Sequence, residues 1–164
     1  MLARLSHDGL LRFQGATYRA AIGRTGISTL KVEGDNATPS GILLLRRVYY
    51  RADRVARPRA AVPTEPVAET DGWCDDASSK LYNRAISLPN DAHHEELWRR
   101  DKLYDVIGVL GWNDTPVVRG RGSAIFLHVA STDYAPTDGC IALALADVVK
   151  VLAGGLTGIE VPPT

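Results

Sequence analysis

A histidine, a glycine and a cysteine lie close together late in the chain, in the run Leu127-His128-Val129-Ala130-Ser131-Thr132-Asp133-Tyr134-Ala135-Pro136-Thr137-Asp138-Gly139-Cys140-Ile141. His128 ends an apolar stretch, a polar loop follows, and Gly139-Cys140 leads back into apolar sequence. These are the residue types of a cysteine acyl-transfer centre. A free thiol, with a pKa of about 8.5, is little ionised near neutrality, so a nucleophilic cysteine draws on a nearby imidazole. His128 is the candidate partner, expected to hold Cys140 as the thiolate of an ion pair. Gly139 lets the main chain turn sharply and aim the amides around Cys140 at a developing oxyanion. A buried cysteine or a strand-end histidine alone is more often structural. Their combination with the preceding glycine favours chemistry.

The two pieces Gly122-Ser123-Ala124-Ile125-Phe126-Leu127-His128 and Thr137-Asp138-Gly139-Cys140-Ile141 resemble the active-site signature of the L,D-transpeptidase catalytic domain, the YkuD-type fold. In that family a histidine is followed at a distance by Ser/Thr-His-Gly-Cys, an apolar residue, and usually Arg or Asn. Here Asp138 stands in place of the second histidine, Ala142 in place of Arg or Asn, and the intervening loop is somewhat shorter. Upstream, Gly34-Asp35-Asn36-Ala37-Thr38-Pro39-Ser40-Gly41 resembles the family's Gly-Asp-x-x-Thr-Pro-x-Gly turn. Its residues also read as a loop by themselves, because Gly34-Asp35-Asn36 and Pro39-Ser40-Gly41 are turn formers and Pro39 biases Thr38 towards extended geometry. Weaker echoes at Trp73-Cys74-Asp75-Asp76 and Tyr82-Asn83 extend the resemblance from about Arg19 to the end.

The resemblance implies a mainly β, compact sandwich- or barrel-like L,D-transpeptidase fold, with two or so short helices. It also implies the substrate: the bond after the L-centre of meso-diaminopimelate in a bacterial peptidoglycan tetrapeptide stem, broken through a Cys140 thioester with release of D-alanine. Cys140, His128 and Gly139 are the expected catalytic residues. Thr137, Asp138, Ser123 and Arg121 are expected to contact substrate, with Trp73, Tyr82 and Asn83 walling the pocket. Arg119 and Arg121, just before the strand that ends at His128, are candidates to grip a carboxylate in place of the residue missing at Ala142. A main-chain carbonyl or Asp138 would orient His128. Water is the favoured acceptor, giving an L,D-carboxypeptidase that trims muropeptides for recycling; the alternative is transpeptidation that cross-links peptidoglycan. A non-catalytic module binding muropeptides or a protein partner, and a cysteine hydrolase acting on an unrelated amide, are the competing classes.

Composition accords with one domain. At 164 residues and 45% hydrophobic, the chain can bury a core without metal or disulfide. Lys plus Arg equals Asp plus Glu at 19 each, so nothing advertises nucleic acid or an anionic membrane. No apolar run nears the roughly 20 residues of a spanning helix. The first ten residues lack a basic stretch followed by an apolar one, which predicts a cytoplasmic location, or a periplasmic one if an export signal precedes them. Cys74 and Cys140 are expected reduced, Cys74 as a passive core residue.

Short β-rich segments between Gly, Pro and Asp turns predict strands over Leu10–Phe13, Ala16–Ile22, Gly41–Tyr50, Tyr104–Leu110, Ala124–Val129 and Gly158–Val161. Arg57–Glu69, with three prolines, is expected to be irregular chain laid over the sheet. Helices are expected over Ala92–Arg100, capped by Asn90 or Asp91, and over Leu145–Leu152, ended by Gly154-Gly155. His93-His94 beside Glu95-Glu96 lacks the i, i+4 spacing of a helical zinc pair, so no metal or cofactor is expected.

Overall fold

Runs of Val, Ile, Leu and aromatic residues, too short for helices and punctuated by turn formers, extend and pair. In the computed structural model, which describes residues 1–164, they form fourteen strands and one helix. These are β1 (Leu2–Leu5), β2 (Leu10–Phe13), β3 (Ala16–Arg19), β4 (Ile27–Ser28), β5 (Thr38–Pro39), β6 (Gly41–Tyr50) and β7 (Thr64–Pro66). They are followed by β8 (Asp71–Cys74), β9 (Arg84–Ser87), β10 (His94–Glu96), β11 (Val106–Gly111), β12 (Phe126–Val129), β13 (Ile141–Leu143), α1 (Leu145–Ala153) and β14 (Gly158–Val161). The fold is mainly β, as expected.

The main sheet runs β13-β12-β11-β6-β14-β1-β2-β3, with β7 added beside β6. Its two ends nearly meet. Beyond β3 the chain reaches β13, where Ala21 and Ala142 exchange both main-chain hydrogen bonds, at 2.8 and 2.9 Å, so the sheet is barrel-like and all but closed. A smaller sheet, β10-β8-β9, stands apart from it, and β4 pairs with β5.

The central strands are apolar on both faces because both faces are covered. Along β12, Leu127 and Val129 point into the larger core with Leu43, Ile141, Leu143 and Ile159. Phe126, one pleat away, joins a second cluster with Tyr104, Ile107, Val109, Leu97 and Cys140. Trp73 of β8 packs edge-on against Phe126, with ring centroids 5.3 Å apart, so the small sheet caps this second cluster. Gly108 is needed where the strands are closest: a Cβ there would lie 2.9 Å from Leu45 Cδ1 and 3.3 Å from Leu127 Cβ.

In α1, Val148, Val151 and Leu152 share the buried face, at the i, i+3, i+4 spacing of a helix stripe. The chain leaves it through Gly154 and the left-handed Gly155. Its nine residues are too few to cross a membrane, and no helix is long and apolar enough to do so.

The helix expected over Ala92–Arg100 does not form. Asn90 Oδ1 accepts the Ala92 amide at 3.0 Å in a local turn, and His94–Glu96 then pairs antiparallel with β8, Glu96 opposite Gly72. Alternation decides the outcome, since Glu95 and Leu97 turn inward together at a period of two. Three expected strands are trimmed: β3 stops at Arg19 because Ala20–Ile22 depart to close the barrel, β11 starts at Val106 instead of Tyr104, and β12 starts at Phe126 because Ala124 is left-handed (φ 53°). Arg57–Glu69 is irregular apart from β7, which pairs parallel with the end of β6.

Leu127 is fully buried between the strands that carry the site. Leu127→Ala is expected to cost about 2–5 kcal/mol in urea or guanidinium unfolding, and a loss well under 1 kcal/mol would mean that this face is not close-packed.

Candidate active site

β12 and β13 run parallel, with Leu127 opposite Ile141 and His128 opposite Ala142. Cys140, one residue before β13, therefore faces Phe126, and its side chain shares a face with Phe126 and His128. Same-face residues two apart on adjacent strands have Cβ atoms roughly 7 Å from each other, and no hydrogen bond joins the imidazole to the thiol, whose partners are Phe126 and Ala124. Both side chains open into one cavity of about 230 Å³, which Arg24, Glu95, Arg99, Tyr104, Thr137 and Asp138 also line.

The thiol is buried and held on two sides. The Phe126 amide donates to Sγ at 3.3 Å, and Sγ donates to the Ala124 carbonyl at 3.3 Å. Burial pushes its pKa well up, the negative Glu95 adds to the rise, and the Phe126 amide opposes it. His128 is also buried, and burial lowers its pKa below the usual 6.5, against the pull of its hydrogen bond to Val129. Both shifts favour the uncharged form of each group over the thiolate–imidazolium pair. Nδ1 of His128 bonds the Val129 carbonyl at 2.9 Å, which assigns the proton to Nδ1 and leaves Nε2 with its lone pair. The orienting group is thus a main-chain carbonyl. Asp138 is instead ion-paired with Arg24 at 2.6 Å.

The turn before Cys140 is braced from within and from below. Thr137 Oγ1 donates to the Cys140 carbonyl at 2.6 Å and accepts the Gly139 amide at 3.2 Å. The Cys140 amide has no partner in the protein, so it is free to meet an oxyanion. Gly139 has φ 134°, and a Cβ there would lie 2.8 Å from the Ala37 carbonyl. That carbonyl belongs to the Gly34–Gly41 turn. Asp35 organises this turn by accepting the Val32 and Ala37 amides, both at 2.9 Å, and the buried Lys31 ammonium. Burial alone would raise the Asp35 pKa, but these hydrogen bonds outweigh it and hold it below the usual carboxylate value.

Of the residues singled out in the sequence, Cys140, His128, Thr137 and Asp138 reach the cavity, and Gly139 shapes the turn. Trp73, Tyr82, Asn83, Ser123 and Arg121 do not line it. Asn83 Oδ1 accepts from Trp73 Nε1 at 3.0 Å and from the Ala124 amide at 3.1 Å, while its Nδ2 donates to the Trp112 and Asn113 carbonyls. It fixes the left-handed Ala124 whose carbonyl meets the thiol. Tyr82 and Ser123 converge on the Glu33 carboxylate, and the Tyr82 hydroxyl accepts the Gly122 amide at 3.0 Å. These four residues brace the wall from behind. Arg121 is exposed and contributes its carbonyl to Trp112 Nε1 at 2.8 Å, and Arg119 is likewise not at the cavity.

The cavity arginines are Arg24 and Arg99, and its remaining polar residues are Glu95, Tyr104 and Ser131. Of these, only Glu95 was singled out in the sequence, and there beside His93-His94 as a metal candidate. Arg24 arrives by barrel closure, for which no local pattern exists. Glu95 had a usable signal in its in-out alternation with Leu97.

The family model of the L,D-transpeptidase catalytic domain, YkuD, matches residues 7–156. No curated protein and no solved structure matches the chain.

Gly139→Ala is expected to lower stability by more than Gly15→Ala, a position that is also left-handed but has open space around it. The control should cost about 1–2 kcal/mol of conformational strain. Chemical denaturation checks both, and equal losses would mean that the approach to Ala37 imposes nothing.

Proposed function

The chain belongs to the L,D-transpeptidase catalytic domain family, which acts on peptidoglycan, and from that premise we propose that Cys140 is the acyl-accepting nucleophile of an L,D-carboxypeptidase. The observation that carries this is that His128 and Cys140 line one cavity, with His128 Nδ1 engaged by the Val129 carbonyl and the Cys140 amide left without a partner.

The chemistry starts from the neutral pair. Sγ attacks the carbonyl of the L,D amide bond after the diamino acid of a tetrapeptide stem as Nε2 takes its proton, so no isolated thiolate forms in the buried wall. The Cys140 amide meets the oxyanion. The imidazolium returns its proton to the leaving D-alanine nitrogen, and a thioester remains. Water, deprotonated by the same Nε2, then attacks the thioester, restoring the thiol and freeing a tripeptide stem. The size of the cavity favours water over a second stem: about 230 Å³ lies below the roughly 300–1,000 Å³ of common small-molecule sites. One donor end fills such a space. Thr137 and Gly139 hold the turn in shape, and the Arg24–Asp138 pair at the rim is placed to meet the charged ends of the stem.

Two measurements test this proposal. With a disaccharide tetrapeptide or the free tetrapeptide, mass spectrometry should find loss of D-alanine, absent in Cys140→Ala and reduced about 10²–10⁴-fold in His128→Gln. Dimeric muropeptides would assign cross-linking instead, and no Cys140-dependent product from folded protein would favour a binding role. The base works only when neutral and its pKa is depressed, so kcat/KM should rise with pH through a midpoint below 6.5. A midpoint above that value would contradict the role given to the buried imidazole.

A further inference from the structure

The scheme above leaves one cavity group unused. Glu95, on β10, is largely enclosed, and its one hydrogen bond comes from the Tyr104 hydroxyl at 2.8 Å. It has no ion-pair partner, although two cations line the same cavity. Arg99 is held in bidentate fashion by Asp101 at 2.9 and 2.5 Å, and Arg24 is held by Asp138. Lys31, behind the thiol, is taken by Asp35. An enclosed carboxylate without a cation is unfavourable unless something fills that role. The charges that bear on Glu95 are Asp75 and Asp138, which oppose its ionisation, and Arg99, which favours it. Tyr104 ties the carboxylate to the centre, because its ring lies edge-on to His128 with centroids 5.3 Å apart.

We propose that Glu95 determines which acyl donor is accepted: its carboxylate, oriented by Tyr104, receives a primary ammonium on the side chain of the residue whose carbonyl Cys140 attacks. The proposal rests on the donor-stem function argued above, in which that residue is a diamino acid. Geometry supports the assignment, since the acylated residue must sit within a side chain's length of Sγ and Glu95 shares the cavity with it. The pairing has a second effect. Of the charges around Cys140, that of Glu95 opposes loss of the thiol proton most strongly. An arriving ammonium cancels it, so the cognate donor eases transfer of that proton to His128 while a donor without the amine does not.

The test compares three tetrapeptide stems, with the side-chain amine free, acetylated or replaced by hydrogen, on the full chain and its Glu95→Gln variant. Gln keeps an acceptor for Tyr104. In the unmodified protein the ratio of kcat/KM for the free-amine stem to that for the deaminated stem should be about tenfold or more, the size of one charge-assisted hydrogen bond. In Glu95→Gln the ratio should fall to near one. An unmodified protein that does not discriminate, or a variant that loses rate equally on all stems, overturns the proposal. Calorimetric binding to Cys140→Ala and Cys140→Ala/Glu95→Gln repeats the comparison without turnover. If no stem is turned over but the first variant still prefers the free amine and the second does not, the carboxypeptidase function fails and the role of Glu95 stands. The charge effect has its own readout: alkylation of Cys140, followed on its own peptide to separate it from Cys74, should shift to lower pH in Glu95→Gln. An unchanged profile overturns that part.

Discussion

The hydrogen-bonded closure between the chain leaving β3 and the turn before β13 is the constraint on which the site depends. Ala21 and Ala142 exchange both their main-chain bonds, the Thr137 amide reaches the Ile22 carbonyl at 2.9 Å, and the Arg24 amide reaches the Thr137 carbonyl at 2.9 Å. Gly23 in turn donates to Thr38 Oγ1 at 2.9 Å, which joins the closing segment to the Gly34–Gly41 turn. Cys140 is thereby suspended between a parallel strand on one side and a strap from the opposite end of the chain on the other. The same strap delivers Arg24 to the cavity. Geometry that looks local to Thr137-Asp138-Gly139-Cys140 is set by partners more than a hundred residues away.

The second organising fact is the two-faced character of β12. One face anchors the strand in the barrel through Leu127 and Val129, and the other presents Phe126 and His128 to the cavity wall. Rigidity for the imidazole comes at the cost of removing it from water, and the thiol shares that condition. A dry wall strengthens the few hydrogen bonds that remain, to Val129 for the imidazole and from Phe126 for the sulfur. It also favours the uncharged form of each group. The supports behind the wall follow the same logic: Asn83 satisfies four main-chain or side-chain partners at once, so the unusual backbone at Ala124 is held by a fully used amide.

Much of this was legible in the residues, and the part that was not has a common cause. The strands over Gly41–Tyr50 and Gly158–Val161, the helix over Leu145–Leu152 and the Gly-Cys turn are encoded by local pattern, and the structure follows it. Ala92–Arg100 misled because a polar run with a good capping residue is neutral between helix and strand until β8 supplies a partner. Trp73, Tyr82 and Asn83, expected to wall the pocket, and Ser123, expected to contact substrate, lie one layer behind the cavity, a distinction of depth that spacing does not carry. Arg24 and Arg99 were not visible because each reaches the cavity through tertiary placement, and a lone charged residue in a loop looks like ordinary solvated surface; Glu95 drew notice only as a neighbour of His93-His94.

The seam at Ala21–Ala142 also bears on how the molecule comes into being. Pairing segments so far apart carries a large loop-closure entropy, and sheets dominated by such contacts fold slowly. During synthesis β13 emerges last but for α1 and β14, so the strap that awaits it has no partner until nearly the whole chain is available. In the unfolded chain Cys140 has neither the Phe126 amide, which β12 brings to it, nor the enclosing wall, and is an ordinary exposed thiol. Its chemical character is thus conferred by the folded barrel, and an unfolded or partly opened chain carries a cysteine open to oxidation and disulfide exchange that the closed structure encloses.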